Sequence, residues 1–385
     1  MPASIIDRLL DLVEAIQQIP APTFSERQRA DFIYARFLAE ELVDVTRDET
    51  GNVYARLPGR GEAPPLVITA HLDSVFPLST DLQLTRQADT IVGPGIGDNA
   101  LGLAGFFGLL WSLRQRDLAL PGDLWLVANV GEEGLGDLAG MRAVVNRFGR
   151  QVLAYIVVEG LALGQVYHRG LGILRYRLTV STPGGHSWVD FGRPSAIHVL
   201  AGLVSQLVAI PLPGTPRTTL NVGLISGGTS INTIASSAHL DLDLRSEDVP
   251  VLQTLAAQVE ALVQQANRGD VEVTAEIIGQ RPAVEISAQH PLVRLAVQCL
   301  AEQGIQPNLT IGSTDANLPL SLGLPVICLG LTKGGGAHTL QEHIQLPPIA
   351  QGLAQIVCLV GRAFDELSIH NHRDTENTEF LSDRE

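Results

Sequence analysis

The chain has 385 residues, which is longer than one typical domain and predicts two. Its 41 acidic and 26 basic residues give a formal charge of -15, which argues against nucleic acid or an anionic membrane as the main partner, because both attract basic surfaces. Three cysteines without a CxxC pair argue against a disulfide framework and a thiolate metal site, and we expect no membrane-spanning segment.

Two helices are predicted near the N-terminus, at residues 4–18 and 25–42. Ser4 and Asp7 have the spacing of a capping box, which starts a helix by satisfying its first backbone N–H groups. The first helix is amphipathic and carries acidic residues, so it lacks the features of a signal peptide. We therefore expect a cytoplasmic protein.

Four short apolar runs predict the strands of a parallel sheet. Their hydrophobicity is continuous rather than alternating, which is typical of strands that helices cover on both faces. They are PLVITA (65–70), LWLVANV (124–130), LAYIVV (153–158) and PVICLGL (325–331). Helices are expected at 99–113, 140–148 and 348–367. The pattern predicts an α/β domain in which a mainly parallel sheet is flanked by helices.

The middle of the chain predicts a second domain of a different class. Its elements follow the order strand, helix, strand, strand, helix, strand, at residues 173–181, 194–209, 218–225, 237–245, 249–267 and 271–278. This is the ferredoxin-like order of an α+β domain. We therefore predict a domain at 172–281 that is inserted into a catalytic domain formed by 1–171 and 282–368. The polar residues 369–385 are expected to form an irregular tail.

Histidines and carboxylates follow the buried runs. Ligands of open α/β sheets bind outside the carboxyl ends of the strands, so we expect these side chains to meet at one rim of the sheet. A further carboxylate lies on the glycine-rich loop GPGIGDNALGLAG, just ahead of a predicted helix. The residues at these places are His71, Asp73, Asp98, Glu132, Glu133, Glu159 and His338.

This combination of imidazoles and carboxylates predicts a metal site. Imidazole and carboxylate are the ligands of zinc or a similar divalent ion. Five candidate ligands are too many for one tetrahedral ion with an open position, and they suit two ions about 3.5–4 Å apart that share a bridging carboxylate. Taken singly, each side chain would more often be structural or solvated. Their common position after buried strands favours the metal site.

The motifs along the chain resemble those of a metallopeptidase family that contains peptidase T, the glutamate carboxypeptidases, aminoacylase and succinyl-diaminopimelate desuccinylase. The glycine-rich GEEGLGDLAG and GGGAHTLQEH favour the peptidase T-like branch. Glu159 is instead typical of the carboxypeptidase and aminoacylase branches. Peptidase T-like members carry Asp at this position. The matching motifs are TAHLDSV, GPGIGDNALGLAG, NVGEEGLGDLAGMR, VVEG, TPGGHSW, GGTSINTIA, DLDLRSED, GSTDAN and GGGAHTLQEH.

The resemblance implies a role for each residue at the rim. Two zinc ions, with cobalt and manganese as alternatives, would be bound by two overlapping sets of ligands. Asp73 would orient His71, and Glu132 would be the general base that takes a proton from a metal-activated water. The first set is His71, Asp98 and Glu159, and the second is Asp98, Glu133 and His338.

The resemblance also implies substrate contacts from the inserted domain, which would act as a lid and as the interface of a homodimer. His186 would stabilise the oxyanion, in its own subunit or in the partner's. Arg245 would clamp a substrate carboxylate, and Asn232 would hydrogen-bond the same region. Gly312 and Ser313 would line the pocket. Taken alone, a turn histidine is usually solvated and Arg245 would form a local salt bridge.

Three functions are compatible with these residues. The first is a zinc-dependent metallo-exopeptidase, an aminopeptidase of the peptidase T-like kind, that hydrolyses small peptides. The second is an amidohydrolase that removes the acyl group from N-acyl amino acids with the same metals and base. The third is a non-catalytic metal-dependent binding protein, but such a relative should lack a ligand or the base, and here all six positions are filled.

Overall fold

The structure, a computed structural model, describes residues 4–382 and the side chains up to residue 367. The chain forms two compact units. One contains the chain up to Arg169 and again from Glu285 onward, and the other is Gly170–Val284. The predicted inserted segment, 172–281, falls within the second unit.

Most helices of the first unit are separated by strands along the chain. The described part of the second unit contains two helices. In chain order they are α1 (Ile5–Gln17), α2 (Arg27–Ala39), α3 (Gly102–Gln115), α4 (Ala139–Phe148), α5 (Ala196–Leu207), α6 (Val249–Ala266), α7 (Pro291–Glu302), α8 (Asn317–Ser321) and α9 (Ile349–Ser382). An irregular turn, Ile96–Leu101, in which Asp98 and Asn99 have non-helical backbone angles, leads into α3, and a short 3₁₀ turn, Gly134–Gly136, precedes α4.

The strands range from two to ten residues. In chain order they are β1 (Val43–Arg47), β2 (Val53–Leu57), β3 (Leu66–His71), β4 (Thr85–Arg86), β5 (Thr90–Val92), β6 (Leu124–Asn129), β7 (Ala154–Glu159), β8 (Gln165–Gly170), β9 (Gly172–Ser181), β10 (Gly185–His186), β11 (Thr218–Gly227), β12 (Thr233–Ile234), β13 (Ser237–Ser246), β14 (Glu272–Arg281), β15 (Val284–Glu285), β16 (Asn308–Gly312), β17 (Val326–Gly330), β18 (Gly334–Gly335) and β19 (His343–Gln345).

The large sheet has the strand order β1-β2-β6-β3-β7-β17-β8-β15, with β16 beside β8. The four strands predicted from the apolar runs are its centre: β3 pairs in parallel with β6 and with β7, and β17 pairs in parallel with β7. All six residues of β3 are buried, as a strand covered on both faces should be. The prediction of an α/β domain with a mainly parallel sheet is confirmed.

The helices that cover this sheet are built as the sequence predicts. Helix α1 begins with the Ser4–Asp7 capping box and buries Leu9, Val13 and Ile16 against the core. Helix α3 is buried along nearly its whole length. Together with the turn before it, the stretch Ile96–Gln115 is long and apolar enough to cross a membrane, but it packs inside the core of this unit.

The second unit is a four-stranded antiparallel sheet with the strand order β11-β13-β9-β14. Helices α5 and α6 pack on it, and the shared core includes Leu178, Leu200, Leu240 and Val259. Burial alternates along β13, so one face of that strand is covered and the other is more accessible. The predicted ferredoxin-like element order is therefore found in the structure.

Three features differ from the sequence-based expectation. The antiparallel strands β1 and β2 and the small sheet β18-β19-β5-β4 had no apolar run to indicate them, because these strands are short or lie at a sheet edge. The last helix continues to Ser382 instead of ending at Leu367, and residues 368–382 contain no glycine or proline that would stop it. The stretch Ile96–Gln115 was not expected to reach membrane-spanning length.

Candidate metal centre

The carboxyl ends of the parallel strands carry ionisable side chains. His71 is the last residue of β3 and Glu159 the last of β7, and Glu132 and Glu133 follow the end of β6. His338 lies in the loop between β18 and β19 with a φ of +65°, a conformation that is uncommon outside glycine. The rim therefore gathers groups from four separate segments.

Asp98 lies between the two imidazoles. Its Oδ1 atom is 3.0 Å from Nε2 of His71, and its Oδ2 atom is 3.2 Å from Nε2 of His338. A further carboxylate accompanies each imidazole: Oε2 of Glu159 is 3.5 Å from Nε2 of His71, and Oε1 of Glu133 is 3.2 Å from Nε2 of His338. Each imidazole nitrogen thus faces two carboxylates, one of which is shared.

The donor atoms are close enough to bind a cation. One potential ligand atom each from His71, Asp98 and Glu133 lie within 4.8 Å of one another. The loop that carries Asp98 is fixed beside the end of β7, because the Asn99 amide donates to the carbonyl of Val158 and accepts the N–H of Gly160. A side chain at Gly160 would collide with the backbone of this loop, so glycine is required for the close approach.

Asp73 connects β3 to the glutamate pair. Its carboxylate accepts the backbone N–H groups of Glu132 at 3.0 Å and Glu133 at 2.8 Å, and the Thr23 hydroxyl at 2.9 Å. Nδ1 of His71 is 3.0 Å from the backbone carbonyl oxygen of Asp73 and 3.6 Å from its carboxylate. The carbonyl is the closer partner, and a proton on Nδ1 would leave the Nε2 lone pair facing the carboxylates.

Glu132 lies beside the ligand-like residues and is only 6% exposed. Burial is the main cause of the raised pKa of Glu133 and Glu159, and the charge of Glu132 raises both further, so its carboxylate lies within the electrostatic field of the cluster. The shared anchor on Asp73 fixes the backbone of both adjacent glutamates. Their side chains therefore stay near the rim despite their mutual repulsion.

The pKa values show how crowded the charges are at the rim. Burial would lower the pKa of His71, but the charge of Glu159 and hydrogen bonds to Asp73, Asp98 and Glu159 raise it well above its usual value. Hydrogen bonds to Asp98 and Glu133 raise the pKa of His338 to about 10. Burial raises the pKa of Glu159 to about 7. The raised pKa values favour protons on His71, His338 and Glu159, which partly neutralise the gathered negative charge.

Asp98 behaves in the opposite way. Burial would raise the pKa of its carboxyl, but hydrogen bonds from His338 and His71 hold it well below its usual range. It therefore stays ionised, as does Asp73, whose pKa burial would raise but the hydrogen bond from His71 lowers. Burial instead raises the pKa of Glu133 and Glu159. An ionised carboxylate with an imidazole at each oxygen is chemically suited to bridge two cations.

One residue at the rim, Asp315, was not identified from the sequence. Asp315 is fully buried, accepts a hydrogen bond from the amide of Asn129 at 2.7 Å, and leaves its Oδ1 atom without a partner. This contact holds the turn that begins with Ser313, directly after Gly312 as the last residue of β16, to the end of β6. Burial raises the pKa of Asp315 to about 8. The motif GSTDAN contains Asp315, but β16 before it has only exposed and half-buried residues, so no buried apolar run marked this position as it marked the others.

Two of the predicted substrate contacts are neighbours in the second unit. The short strand β10 pairs with β12, and the N–H of Ser187 donates to the carbonyl of Asn232 at 3.0 Å. His186 is exposed, and its Nδ1 accepts the backbone N–H groups of Trp188 and Val189 at 3.2 and 3.4 Å. A neutral His186 therefore carries its proton on Nε2, where it can donate to a ligand.

Arg245 lies apart from His186 within that unit. Arg245 pairs with Ile173 near the start of β9. The paired strands β10 and β12, which carry His186, follow the other end of β9, where Ser181 pairs with Ser237. Eight residues of strand separate Ser237 from Arg245, which is about 26 Å at roughly 3.3 Å per residue. Nε of Arg245 also donates to Asp243 at 2.6 Å, the local salt bridge considered as the alternative.

Comparison with known proteins identifies a family for most of the chain. A family model described as Peptidase family M20/M25/M40 matches residues 67–362. The succinyl-diaminopimelate desuccinylase of Methylobacterium radiotolerans is 27% identical over 394 residues, which cover 93% of this chain and 96% of that protein. The family resemblance inferred from the motifs is confirmed.

Solved structures share the fold. A tripeptidase from Staphylococcus aureus matches with a TM-score of 0.78 at 22% identity, over 93% of this chain and 98% of that chain. A dinuclear metal-binding peptidase from Bacillus subtilis matches with a TM-score of 0.65 at 16% identity, over 94% of this chain and 99% of that chain. At these identities the likeness establishes the fold, and the site geometry must support the chemistry.

Proposed function

Because the chain belongs to peptidase family M20/M25/M40, and is therefore a hydrolase of peptide or amide bonds, we propose that it is a zinc-dependent exopeptidase acting on small peptides. One observation carries the proposal: the two oxygens of Asp98 face Nε2 of His71 and Nε2 of His338 at 3.0 and 3.2 Å. A carboxylate between two imidazoles is the arrangement that two divalent cations with one bridging ligand require.

The residues fit such a pair of cations. His71, Asp98 and Glu159 would hold one, and Asp98, Glu133 and His338 would hold the other. Imidazole nitrogen and carboxylate oxygen suit zinc, with cobalt and manganese as alternatives. When bound, the two cations would polarise the scissile carbonyl and lower the pKa of water to about 7. The dinuclear metal-binding peptidase of Bacillus subtilis, which has the same fold, supports this assignment.

Glu132 has the position expected of the general base. It is next to Glu133 but is not needed as a ligand, and its backbone is held by Asp73. Its carboxylate accepts a proton from the attacking water and returns it to the nitrogen of the leaving amine. Because Glu132 is almost completely buried, bulk water competes little for this proton.

Asp73 orients the proposed metal ligands and the proposed base and does not itself contact the substrate. Its carbonyl oxygen fixes the proton of His71 on Nδ1, and its carboxylate fixes the backbone of Glu132 and Glu133. One residue therefore aligns a proposed ligand on each cation and the proposed base. Neighbours of this kind orient metal ligands and raise their basicity.

An amidohydrolase acting on N-acyl amino acids is the second candidate. The observation in its favour is the 27% identity to a desuccinylase, which extends over 93% of this chain. It would use the same cations and the same base, so only the substrate pocket distinguishes the two functions. The peptidase is preferred because the motifs GEEGLGDLAG and GGGAHTLQEH favour the peptidase T-like branch.

We further propose that the second unit acts as a lid and as the interface of a homodimer. Strand β11 lies at the edge of its sheet and exposes Leu224 and Ile225, the kind of edge that pairs with a second copy. His186 and Arg245 are too far apart along the sheet to contact one small substrate from a single unit. If both act on it, with Asn232 beside His186, the two contributions come from different subunits.

A cytoplasmic location completes the proposal. The three cysteines have no CxxC spacing that would indicate a disulfide framework, as expected in a reducing compartment. Gly312 and Ser313 are assigned to the pocket wall, because the Asn129–Asp315 contact holds their turn to the rim.

A substrate panel tests the proposed activity. Zinc-loaded protein is assayed against di- and tripeptides with free or blocked termini and against N-acetyl and N-succinyl amino acids. We expect kcat/KM to be highest for peptides, and the terminus whose blocking abolishes cleavage identifies the direction of attack. Cleavage of acylated amino acids alone would reject the peptidase in favour of the amidohydrolase.

A further inference from the structure

Glu342 lies where the loop of Asp98 meets the loop of His338. It stands directly before β19 and four residues after His338, and its side chain is fully buried. The motif GGGAHTLQEH contains it, but neither the proposed metal ligands nor the proposed base include it. A buried carboxylate of this kind is costly unless it is hydrogen-bonded, so its contacts are informative.

The carboxylate of Glu342 binds the backbone of the Asp98 loop. Its Oε1 atom accepts the N–H of Gly97 at 2.7 Å and the N–H of Asp98 at 2.8 Å, and its Oε2 atom accepts the N–H of Gly95 at 3.0 Å. The backbone carbonyl of Glu342 accepts the N–H of Gly93 at 2.8 Å. One residue thus binds the loop at four points, one of which is Asp98 itself.

We propose that Glu342 is a positioning residue that keeps Asp98 between the two imidazoles and so sets the affinity of the metal centre; the inference rests on the proposed function. The N–H of Asp98 is fixed on one side of the residue while its side chain faces His71 and His338 on the other. The same short segment carries His338, so Glu342 couples the position of one ligand to that of the bridging ligand.

The chemistry requires a carboxylate at this position. A carboxylate has two acceptor oxygens and can satisfy all three N–H groups, whereas the amide of glutamine has one acceptor oxygen and an NH₂ group. In Glu342→Gln the NH₂ group must face the N–H of Gly95 or those of Gly97 and Asp98. The loop N–H groups that face this NH₂ group then meet a donor instead of an acceptor. The loop therefore moves away from the glutamine, and Asp98 moves with it.

The experiment compares zinc binding by wild-type protein, Glu342→Gln and the matched control Glu40→Gln. Glu40 is a buried carboxylate that accepts hydrogen bonds from Trp111 and Arg114 towards the far end of α3, so it controls for the loss of a buried acceptor in the same unit. Zinc stoichiometry and affinity are measured by competition with a chromophoric chelator. The absorption bands of the cobalt-substituted proteins report the ligand geometry.

We expect Glu342→Gln to bind zinc about 10- to 100-fold more weakly and to change the cobalt spectrum, with Glu40→Gln like the wild type. Equal affinity and an unchanged spectrum in Glu342→Gln would overturn the inference while the proposed function stands. Absence of zinc binding by the wild type would overturn the proposed function itself. If Glu342→Gln does not fold, Glu342→Asp replaces it, and failure of both to fold would assign Glu342 to folding and also overturn the inference.

Discussion

His71 and His338 face opposite oxygens of one carboxylate, that of Asp98, although 267 positions of sequence separate them. Had the two imidazoles lain on different sides of their unit, no shared metal centre could have been built from them. Their convergence follows from the parallel sheet, which brings the carboxyl ends of β3, β7 and β17 to one rim.

Replacing the proposed base should separate metal binding from catalysis. Glu132→Gln preserves the size of the side chain but removes the proton acceptor, so we expect two zinc ions per chain and a fall in kcat of about 10²- to 10⁴-fold. Metal analysis and steady-state kinetics on the same preparation measure both quantities. Near-normal turnover in this variant would show that another group takes the proton.

Asp73→Asn should weaken both the metal centre and catalysis. The carboxylate of Asp73 accepts three hydrogen bonds, from Glu132, Glu133 and Thr23, and an amide cannot accept them all. We expect zinc affinity and kcat to fall about 10- to 100-fold. The control is Asp123→Asn at the opposite end of β6, where the carboxylate binds Arg56 and the N–H of Gly59. Equal effects of the two substitutions would mean that Asp73 has no special role.

The pH dependence of stability should reveal the crowded charges. The folded pKa is raised from 4.5 to about 7 for Glu159 and from 6.5 to about 10 for His338. A raised folded pKa stabilises the protein below the unfolded value, and this contribution is lost as pH rises through the folded value. We therefore expect the Tm of metal-free protein to fall between about pH 4.5 and about pH 10, and to fall less with zinc bound. The same Tm profile with and without zinc would contradict this expectation.

Mixing two inactive variants tests whether His186 acts in the partner subunit. In hybrid dimers of His186→Ala and Glu132→Gln, the His186→Ala subunit keeps its base and would receive His186 from the other subunit. Random mixing should then restore about a quarter of the wild-type activity, since half of the dimers are hybrids with one complete site each. If His186 acts in its own subunit, no activity returns. Exchange of subunits is verified with two differently tagged chains.

The sequence predicted the strands whose burial leaves a continuous apolar pattern. The runs that became β3, β6, β7 and β17 were identifiable because both faces of these strands are covered. Strand β1 was not identifiable from the sequence, because it lies at the sheet edge with mostly exposed side chains. Periodicity reports burial, so elements with little burial leave little trace.

For the site, the sequence indicated which side chains follow buried strands but not how the loops are held. The contacts of Asp73 with two backbone N–H groups and of Glu342 with three depend on loop conformation, which no local pattern encodes. The position of Arg245 far from His186 likewise became visible only from the register of β9 and β13. The assignment of roles to these residues stays a prediction.

The most direct test of the account is a crystal structure of the zinc-soaked protein with anomalous diffraction measured at the zinc edge. We expect two peaks about 3.5–4 Å apart, one on each side of the Asp98 carboxylate, with Glu132 bound to neither. One peak should lie beside His71 and Glu159, and the other beside Glu133 and His338. A single peak, or two peaks that Asp98 does not join, would contradict the proposed dinuclear centre.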